Sequence, residues 1–147
     1  TSNSAVHHFD IFPTIVSATK TTTSNKKELD GVNLLPYIKK ENSDEPHETL
    51  FWRSGNHQSV LHKKWKYIVS KKENKSWLFD TSIDPLEKNN LIESHPKEAQ
   101  KIEELLVQFN SEQKEPLFPS AFEAPIMIDK YDGQAYEEGD EYIYWSN

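Results

Sequence analysis

Four short runs of aromatic and β-branched residues follow one another between residues 49 and 80. Branched and aromatic side chains pack well on a pleated surface, so such runs favour β-strands. Gly55-Asn56, Lys63-Lys64 and Glu73-Asn74 separate them, and this regular spacing predicts an antiparallel meander. The predicted strands are TLFWRS (49–54), SVLH (59–62), WKYIVS (65–70) and SWLFD (76–80).

An apolar stripe at helical spacing follows the predicted strands. It predicts a helix from about His95 to Asn110, with Ser94 as its N-cap. A helix of this kind covers one face of a small sheet, while the imperfect alternation in 65–70 predicts that both faces are partly covered. The predicted fold class is therefore α+β, with about four antiparallel strands packed by a C-terminal helix. The stripe consists of Ala99, Ile102, Leu105, Leu106 and Phe109.

The first 44 residues are predicted to form helical segments. Asp10 is a plausible N-cap, and Pro13 fits the first turn, where its missing N–H costs little. The segment LDGVNLLPYI (29–38) predicts a turn at Asp30-Gly31 and then a short helical turn. The polar stretch 41–47 contains Pro46 and is predicted as the boundary between two domains, 1–44 and 45–147. The apolar face of the first helix would carry Phe12, Ile15 and Val16.

Charge is distributed unevenly along the chain. Residues 1–114 hold 16 basic and 16 acidic residues, so the whole net charge of −7 comes from the last 33 residues. An acidic end disfavours nucleic acid or an anionic membrane as its partner. The tail from Glu115 contains three prolines and is predicted to wander over the surface, with Tyr142–Trp145 ending it as an edge strand. There is no Cys, so disulfides and thiolate metal sites are excluded.

Several residue groups could bind a substrate or a metal ion, and the sequence pattern alone does not decide whether they do. Arg53 and His57 flank Gly55 in a predicted hairpin turn, and Arg binds anions bidentately, so a sulfate or uronate contact competes with a structural role. The six His lack the spacing of a zinc site, and the acidic run 137–141 lacks the alternating ligands of an EF-hand. Trp52, Trp65 and Trp77 fit a sheet core better than a sugar-stacking platform.

The order of these segments resembles the C-terminal part of type I, formylglycine-dependent sulfatases. HFDIFPTI and LDGVNLLPYI resemble the family's D-x-x-P-T helix and L-D-G-x-S/N-L-x-P-x-L. LFWR with SVLHKKWKYIV, WLFDTSIDPLEKNNL and DEYIYWSN resemble later motifs in the same order. The chain departs from the family at Leu61-His62, where Val-Arg is frequent, and in the polar insertion 20–28.

The resemblance implies a fragment of a sulfuric ester hydrolase. Residues 1–44 would end its α/β catalytic domain, and residues 45–147 would form the C-terminal subdomain, which borders the substrate cleft. The formylglycine nucleophile, made from Cys or Ser in C/S-x-P-S-R, and the Ca²⁺ ligands would lie upstream, so we expect no catalytic and no metal-binding residue here. The nearest match, Ser94-His95-Pro96-Lys97-Glu98, fits a helix start better.

The resemblance also implies partners and substrate-contacting residues. Asn3 lies in a stretch that runs beside the sulfate pocket in some members, and His7 and His8 could face the active-site cleft or could instead be one packed and one exposed side chain. These three residues join Arg53 and His57 as candidates for substrate binding. The expected partners are the upstream catalytic part and a sulfated small molecule or glycan, with neither nucleic acid nor membrane. The parent would be periplasmic or secreted. The alternative is a non-catalytic module that binds a glycan or a protein, and such a module should fold without leaving an exposed apolar face.

Overall fold

The computed structural model describes residues 3–22, 28–115, 123–127, 130, 133–135 and 137–146, with backbone alone for 123–126 and 142–146. The chain divides into two compact units, Thr1–Leu50 and Phe51–Asn147. The predicted domain assignment of 1–44 and 45–147 stays a prediction. None of the helices formed by the described residues is long and apolar enough to cross a membrane.

The first unit contains two helices. A 3₁₀ turn, His8–Asp10, leads into α1 (Ile11–Thr19), and α2 (Leu35–Ile38) follows after the LDG segment. Helix α1 ends at Lys20, which adopts left-handed backbone with φ 53°. No residue of α1 itself is buried, and Ile11, Phe12 and Ile15 are 58%, 51% and 55% exposed. The apolar face predicted for this helix therefore exists, and the part of the chain that the structure describes leaves it largely exposed.

The second unit contains the predicted four-stranded antiparallel sheet, in the order β1-β2-β3-β4. The strands are β1 (Thr49–Ser54), β2 (His57–His62), β3 (Trp65–Ser70) and β4 (Lys75–Asp80). Their connections adopt left-handed backbone at Gly55, Lys63 and Asn74, inside the three predicted turns. The antiparallel meander and the α+β fold class are thereby confirmed.

Helix α3 (Pro96–Glu112) covers one face of the sheet through the predicted stripe. Val60 pairs with Tyr67 and Tyr67 with Leu78 across three strands, and this row packs against the buried side chains of the helix. Trp77 and Phe79 are buried on the opposite face together with Ile68, so both faces are partly covered as predicted. The buried helix residues are Ala99, Ile102 and Leu106.

The predicted cap of α3 is wrong. His95 occupies the N-cap position and makes no side-chain cap bond. The Ser94 hydroxyl instead donates to the Leu91 carbonyl at 3.1 Å and lies 2.9 Å from His95 Nδ1. Pro96 follows as the first helical residue and has no N–H to satisfy, so the helix begins with one fewer unpaired donor.

The turn-rich segment 81–90 closes the outer edge of β4. Within this segment Glu87 adopts left-handed backbone with φ 55°. Asn90 acts through its side chain, since its Oδ1 accepts from the Leu78 N–H at 3.0 Å. The Leu91 N–H donates to the Leu78 carbonyl at 2.7 Å. Both backbone groups of Leu78 on this edge are therefore satisfied within the chain.

The acidic tail contains a second small sheet. Strand β5 (Glu123–Met127) pairs antiparallel with β6 (Tyr142–Ser146). The strand predicted at Tyr142–Trp145 is confirmed, whereas β5 was expected to be irregular because Pro125 lies within it. Proline is tolerated on an edge strand, where its missing N–H need not pair. Within the tail predicted to wander over the surface, residues 116–122, 128–129, 131–132, 136 and 147 lie outside the described residues.

Candidate functional site

The carboxylate of Asp10 is the centre of the most strongly connected polar cluster in the first unit. Asp10 is fully buried. Its Oδ2 accepts from the His7 N–H at 2.7 Å, and its Oδ1 accepts from the Val32 N–H at 2.9 Å. His47 Nε2 lies 2.9 Å from both carboxylate oxygens. The buried charge is thus satisfied by donors from three separate segments of the chain.

These contacts decide the ionisation of Asp10. Burial alone would raise the pKa of this carboxyl, because a charged group is poorly solvated inside a protein. Hydrogen bonds from the His7 and Val32 N–H groups and from His47 outweigh the burial, and the pKa of Asp10 is lowered from its ordinary value. The carboxylate therefore remains charged at neutral pH.

The predicted role of Asp10 as a side-chain N-cap is wrong, although Asp10 does occupy the N-cap position of α1. Its carboxylate bonds backward to His7 and across to Val32 and makes no cap bond to the helix. Thr14 adds a second cross-link, because its hydroxyl donates to the Asp10 carbonyl at 2.6 Å and accepts from the Leu34 N–H at 2.9 Å. The Asp and Thr of the D-x-x-P-T segment thus attach the helix to the LDGVNLL segment.

Gly31 is required here by a close approach of two backbones. A Cβ atom at this position would lie 2.2 Å from the Phe9 carbonyl oxygen and 3.0 Å from the Asp10 nitrogen. Real Cβ atoms essentially never approach other atoms below 3.0 Å. The glycine of the LDG segment therefore allows the chain to pass directly against the Phe9–Asp10 peptide.

Three aromatic rings precede Asp10 and form one cluster with His47. The His7 ring stacks on Phe9 with centroids 4.0 Å apart, and the His8 ring lies 4.3 Å from His7. The His47 ring contacts Phe9 edge-on at 5.6 Å. The pKa of His7 is lowered, first by burial and then by the neighbouring His8. The structure thus places His7 and His8 side by side, with His7 half-buried and His8 exposed, and Asn3 is also exposed.

The second pair of predicted residues lies in the second unit. Arg53 is on β1, with its side chain 21% exposed and its guanidinium 4.0 Å from the Glu115 carboxylate. His57 is the first residue of β2 and is buried, whereas we expected it in the turn. Its Nε2 lies 3.0 Å from the Ser70 hydroxyl. Their predicted role in substrate binding stays a prediction.

Ser70, His57 and Glu73 bring the three residue types of a hydrolytic triad together but in a different arrangement. The Ser70 hydroxyl contacts both His57 Nε2 and the Glu73 carboxylate. In a triad the imidazole lies between the nucleophile and the acid, so that the acid orients the base. Here the serine lies between the two and is fully buried. The arrangement therefore fits a buried polar network and not a nucleophile.

The remaining polar and aromatic groups considered from the sequence are engaged in structural contacts. Lys64 pairs with Asp80 at 2.7 Å. In the acidic run, Asp140 pairs with Lys130 at 2.8 Å. No group of three His, Asp or Glu among the described residues is arranged to hold a metal ion. Trp77 is buried and Trp65 packs against the core cluster on the other face, while Trp52 is 36% exposed, so the three rings do not form one platform.

His47 completes the Asp10 cluster, although no local sequence pattern indicates this role. His47 lies 37 residues from Asp10 and ends a polar stretch that was interpreted only as a boundary. A buried Asp must be paired, and this requirement was the one available signal for a distant donor. It could not identify which of the six His would supply that donor.

Comparison with known proteins gives structural matches only. No protein-family model and no curated protein matches the sequence. A putative sulfatase from Bacteroides thetaiotaomicron is 22% identical with a TM-score of 0.59, and a 2-O GAG sulfatase is 22% identical with a TM-score of 0.58. Both matches cover 69% of this chain and 24% of the other chain.

A third structure is that of a protein in complex with its substrate D-glucosamine-2-N,6-O-disulfate. It is 17% identical, with a TM-score of 0.54, and the match covers 69% of this chain and 23% of that chain. The chain thus spans about a quarter of the length of the structures it matches. Likeness at these identities shows a shared fold, and the α+β arrangement of sheet and helix is the part that is shared.

Proposed function

We propose that this chain is the C-terminal portion of a sulfatase, an enzyme that hydrolyses sulfate esters, and that its substrate class is sulfated carbohydrate. The observation that carries the proposal is the structural likeness to two sulfatases, each matched over 24% of its length. The sequence motifs occur in the order expected for the same region. The substrate class rests on the 2-O GAG sulfatase and on the protein solved with a disulfated glucosamine.

The exposed face of α1 supports a missing catalytic part as the partner. Ile11, Phe12 and Ile15 place three large apolar side chains on one short helix, each more than half exposed. A shallow apolar pocket beside α2, lined partly by Val6, Tyr37 and Ile38, adds to the uncovered apolar surface of this unit. Contiguous exposed apolar surface marks an interface. A module that binds only a glycan, one form of the alternative function, would not need this apolar surface.

The role of the chain would be to complete the fold and to line the substrate cleft. Asn3 and His8 are exposed and His7 is half-exposed, so these residues are accessible to a ligand. Arg53 carries a planar guanidinium suited to a sulfate or carboxylate group. His57 is the weakest candidate, because its ring is buried against Ser70.

The chemistry of hydrolysis would come from upstream residues. A formylglycine nucleophile and a Ca²⁺ ion would act on the sulfate group there, and the described residues of this chain offer no set of ligands for calcium. The residues of this chain would orient the sugar part of the substrate. In keeping with the resemblance to sulfatases, we propose a periplasmic or secreted location for the parent.

The test compares residues 1–147 with a longer protein that also includes the residues encoded upstream of this chain. We expect the longer protein to release sulfate from an aryl sulfate or from 2-O- and 6-O-sulfated sugars, and residues 1–147 alone to release none. Turnover by the short chain would show that it carries its own reactive group. A folded longer protein that hydrolyses none of these esters would refute the proposal, and tight binding of a sulfated glycan by residues 1–147 alone would favour the binding module.

A further inference from the structure

We propose that His47 is a positioning residue, which holds the His7–His8 pair in its substrate-facing orientation through the Asp10 carboxylate and the Phe9 ring. The inference rests on the proposed function, because it assumes that His7 or His8 contacts the substrate. It adds to that function a residue from a segment about 40 positions away in the sequence, which acts on the histidines through Asp10 and Phe9.

The geometry connects His47 to the pair by two routes. The first is polar: His47 Nε2 lies 2.9 Å from Asp10 Oδ2, the oxygen that accepts from the His7 N–H at 2.7 Å. The second is aromatic: the His47 ring contacts Phe9 edge-on, and Phe9 stacks against His7 at 4.0 Å. Movement of His47 would therefore affect both the carboxylate that accepts from the His7 N–H and the Phe9 ring that stacks on the His7 ring.

The other contacts of Asp10 explain why the His47 side chain can affect the orientation of His7 and yet not be needed for the first unit to fold. Val32 and His7 donate to the carboxylate from their backbones, so these bonds survive any side-chain change at residue 47. The Thr14 hydroxyl independently links α1 to Leu34. Loss of the His47 ring would therefore leave the segments attached but remove a side-chain donor to the Asp10 carboxylate and the edge contact on Phe9.

The kinetic test uses the longer protein and a double-mutant cycle. We expect His47→Ala to raise KM for a sulfated sugar about tenfold with a smaller change in kcat, because ligand-contacting groups lose their alignment. His47→Gln, which keeps a donor for Asp10, should recover most of the loss. His7→Ala combined with His47→Ala should be no worse than His7→Ala alone, since coupled residues are not additive. Fully additive effects, or a change in kcat alone, would overturn the proposal.

A spectroscopic test on residues 1–147 separates this inference from the sulfatase assignment. Imidazole ¹⁵N and ring ¹H signals of His7 and His8 should change in His47→Ala and return toward the wild-type pattern in His47→Gln. His95→Ala is the matched control, because that ring lies in the second unit against Trp65. Unchanged His7 signals in His47→Ala would refute positioning. Changed signals in a protein whose longer form hydrolyses no sulfate ester would refute the sulfatase function and leave the contact network intact.

Discussion

Replacement of Gly31 by Ala tests the close backbone approach in the first unit. The added Cβ would lie 2.2 Å from the Phe9 carbonyl oxygen, whereas ordinary contact begins at 3.4 Å. The neighbouring atoms are backbone, so no flexible side chain can move aside. The backbone at Gly31 and the backbone at Phe9 must therefore move apart by about 1.2 Å, the difference between these two distances.

The magnitude follows from the bonds that such a separation breaks. The Val32 N–H lies 2.9 Å from Asp10 Oδ1 and would leave hydrogen-bonding range after a shift of this size. A hydrogen bond to a charged group contributes about 1.5–3 kcal/mol. Ala stabilises a position relative to Gly by about 0.4–1 kcal/mol through the unfolded chain. The net expectation is a loss of about 1–2 kcal/mol.

Amide hydrogen exchange measures this loss at the affected bonds. A change of one or two kcal/mol alters an opening equilibrium about 5- to 30-fold. We expect the protection of the Val32 N–H to fall by this factor in Gly31→Ala, with a parallel loss at the Leu34 N–H. Tryptophan fluorescence would not serve, because all four Trp lie beyond residue 50.

Asp30→Ala is the control, because it changes the adjacent exposed residue without adding an atom near Phe9. Surface substitutions of this kind usually change stability by less than about 0.5 kcal/mol. If the Val32 N–H exchanges at the wild-type rate in Gly31→Ala, there is no clash, and the close approach of the Phe9 backbone does not require a glycine at this position.

Asp10→Asn should destabilise the first unit by about 1.5–3 kcal/mol, because hydrogen bonds from the His7 and Val32 N–H groups to a charged carboxylate are weakened, whereas the exposed Asp44→Asn should have little effect. Hydrogen exchange at Val32 measures both effects, and equal effects would show that the Asp10 charge does not stabilise this unit. The pKa of Asp10 is lowered on folding, so the ionised Asp10 side chain stabilises the folded first unit fully above about pH 4. This contribution to stability is lost as the pH falls through the folded-state pKa of Asp10. Hydrogen-exchange protection of the Val32 N–H, measured as a function of pH, should show the loss in the wild type and not in Asp10→Asn. Ile102→Ala should lower the free energy of unfolding by about 2–5 kcal/mol, measured by urea unfolding with tryptophan fluorescence as the signal. Val107→Ala, at a position that is 63% exposed, should lower it by less than about 0.5 kcal/mol. Similar urea midpoints for the two variants would refute the assigned buried face of α3.

The sheet and its helix could be predicted because their signals are local. Alternating aromatic and β-branched residues identify β3, and left-handed backbone at Gly55, Lys63 and Asn74 falls within the predicted turns. The spacing of Ala99, Ile102 and Leu106 identifies the buried face of α3. Each of these features is determined by residues that lie within a few positions of one another.

The candidate site could not be predicted in the same way. Asp10 has the residue type and position of an N-cap, and only the distant Val32 and His47 reveal its real role. Gly31 is typical of a turn, yet its lack of a Cβ matters because Phe9 passes beside it. Contacts between segments 20 to 40 residues apart leave no periodic pattern, and the same holds for the burial of His57 against Ser70.

The closed outer edge of β4 has a consequence for how this chain behaves at high concentration. An open strand edge offers a row of free N–H and C=O groups to which a neighbouring molecule can add a strand, the first step toward fibrils. Asn90 and Leu91 occupy the groups of Leu78 in the middle of an apolar strand that contains Trp77 and Phe79. We therefore expect loss of the Asn90 side chain to promote self-association, first detected as turbidity and thioflavin binding in concentrated solution.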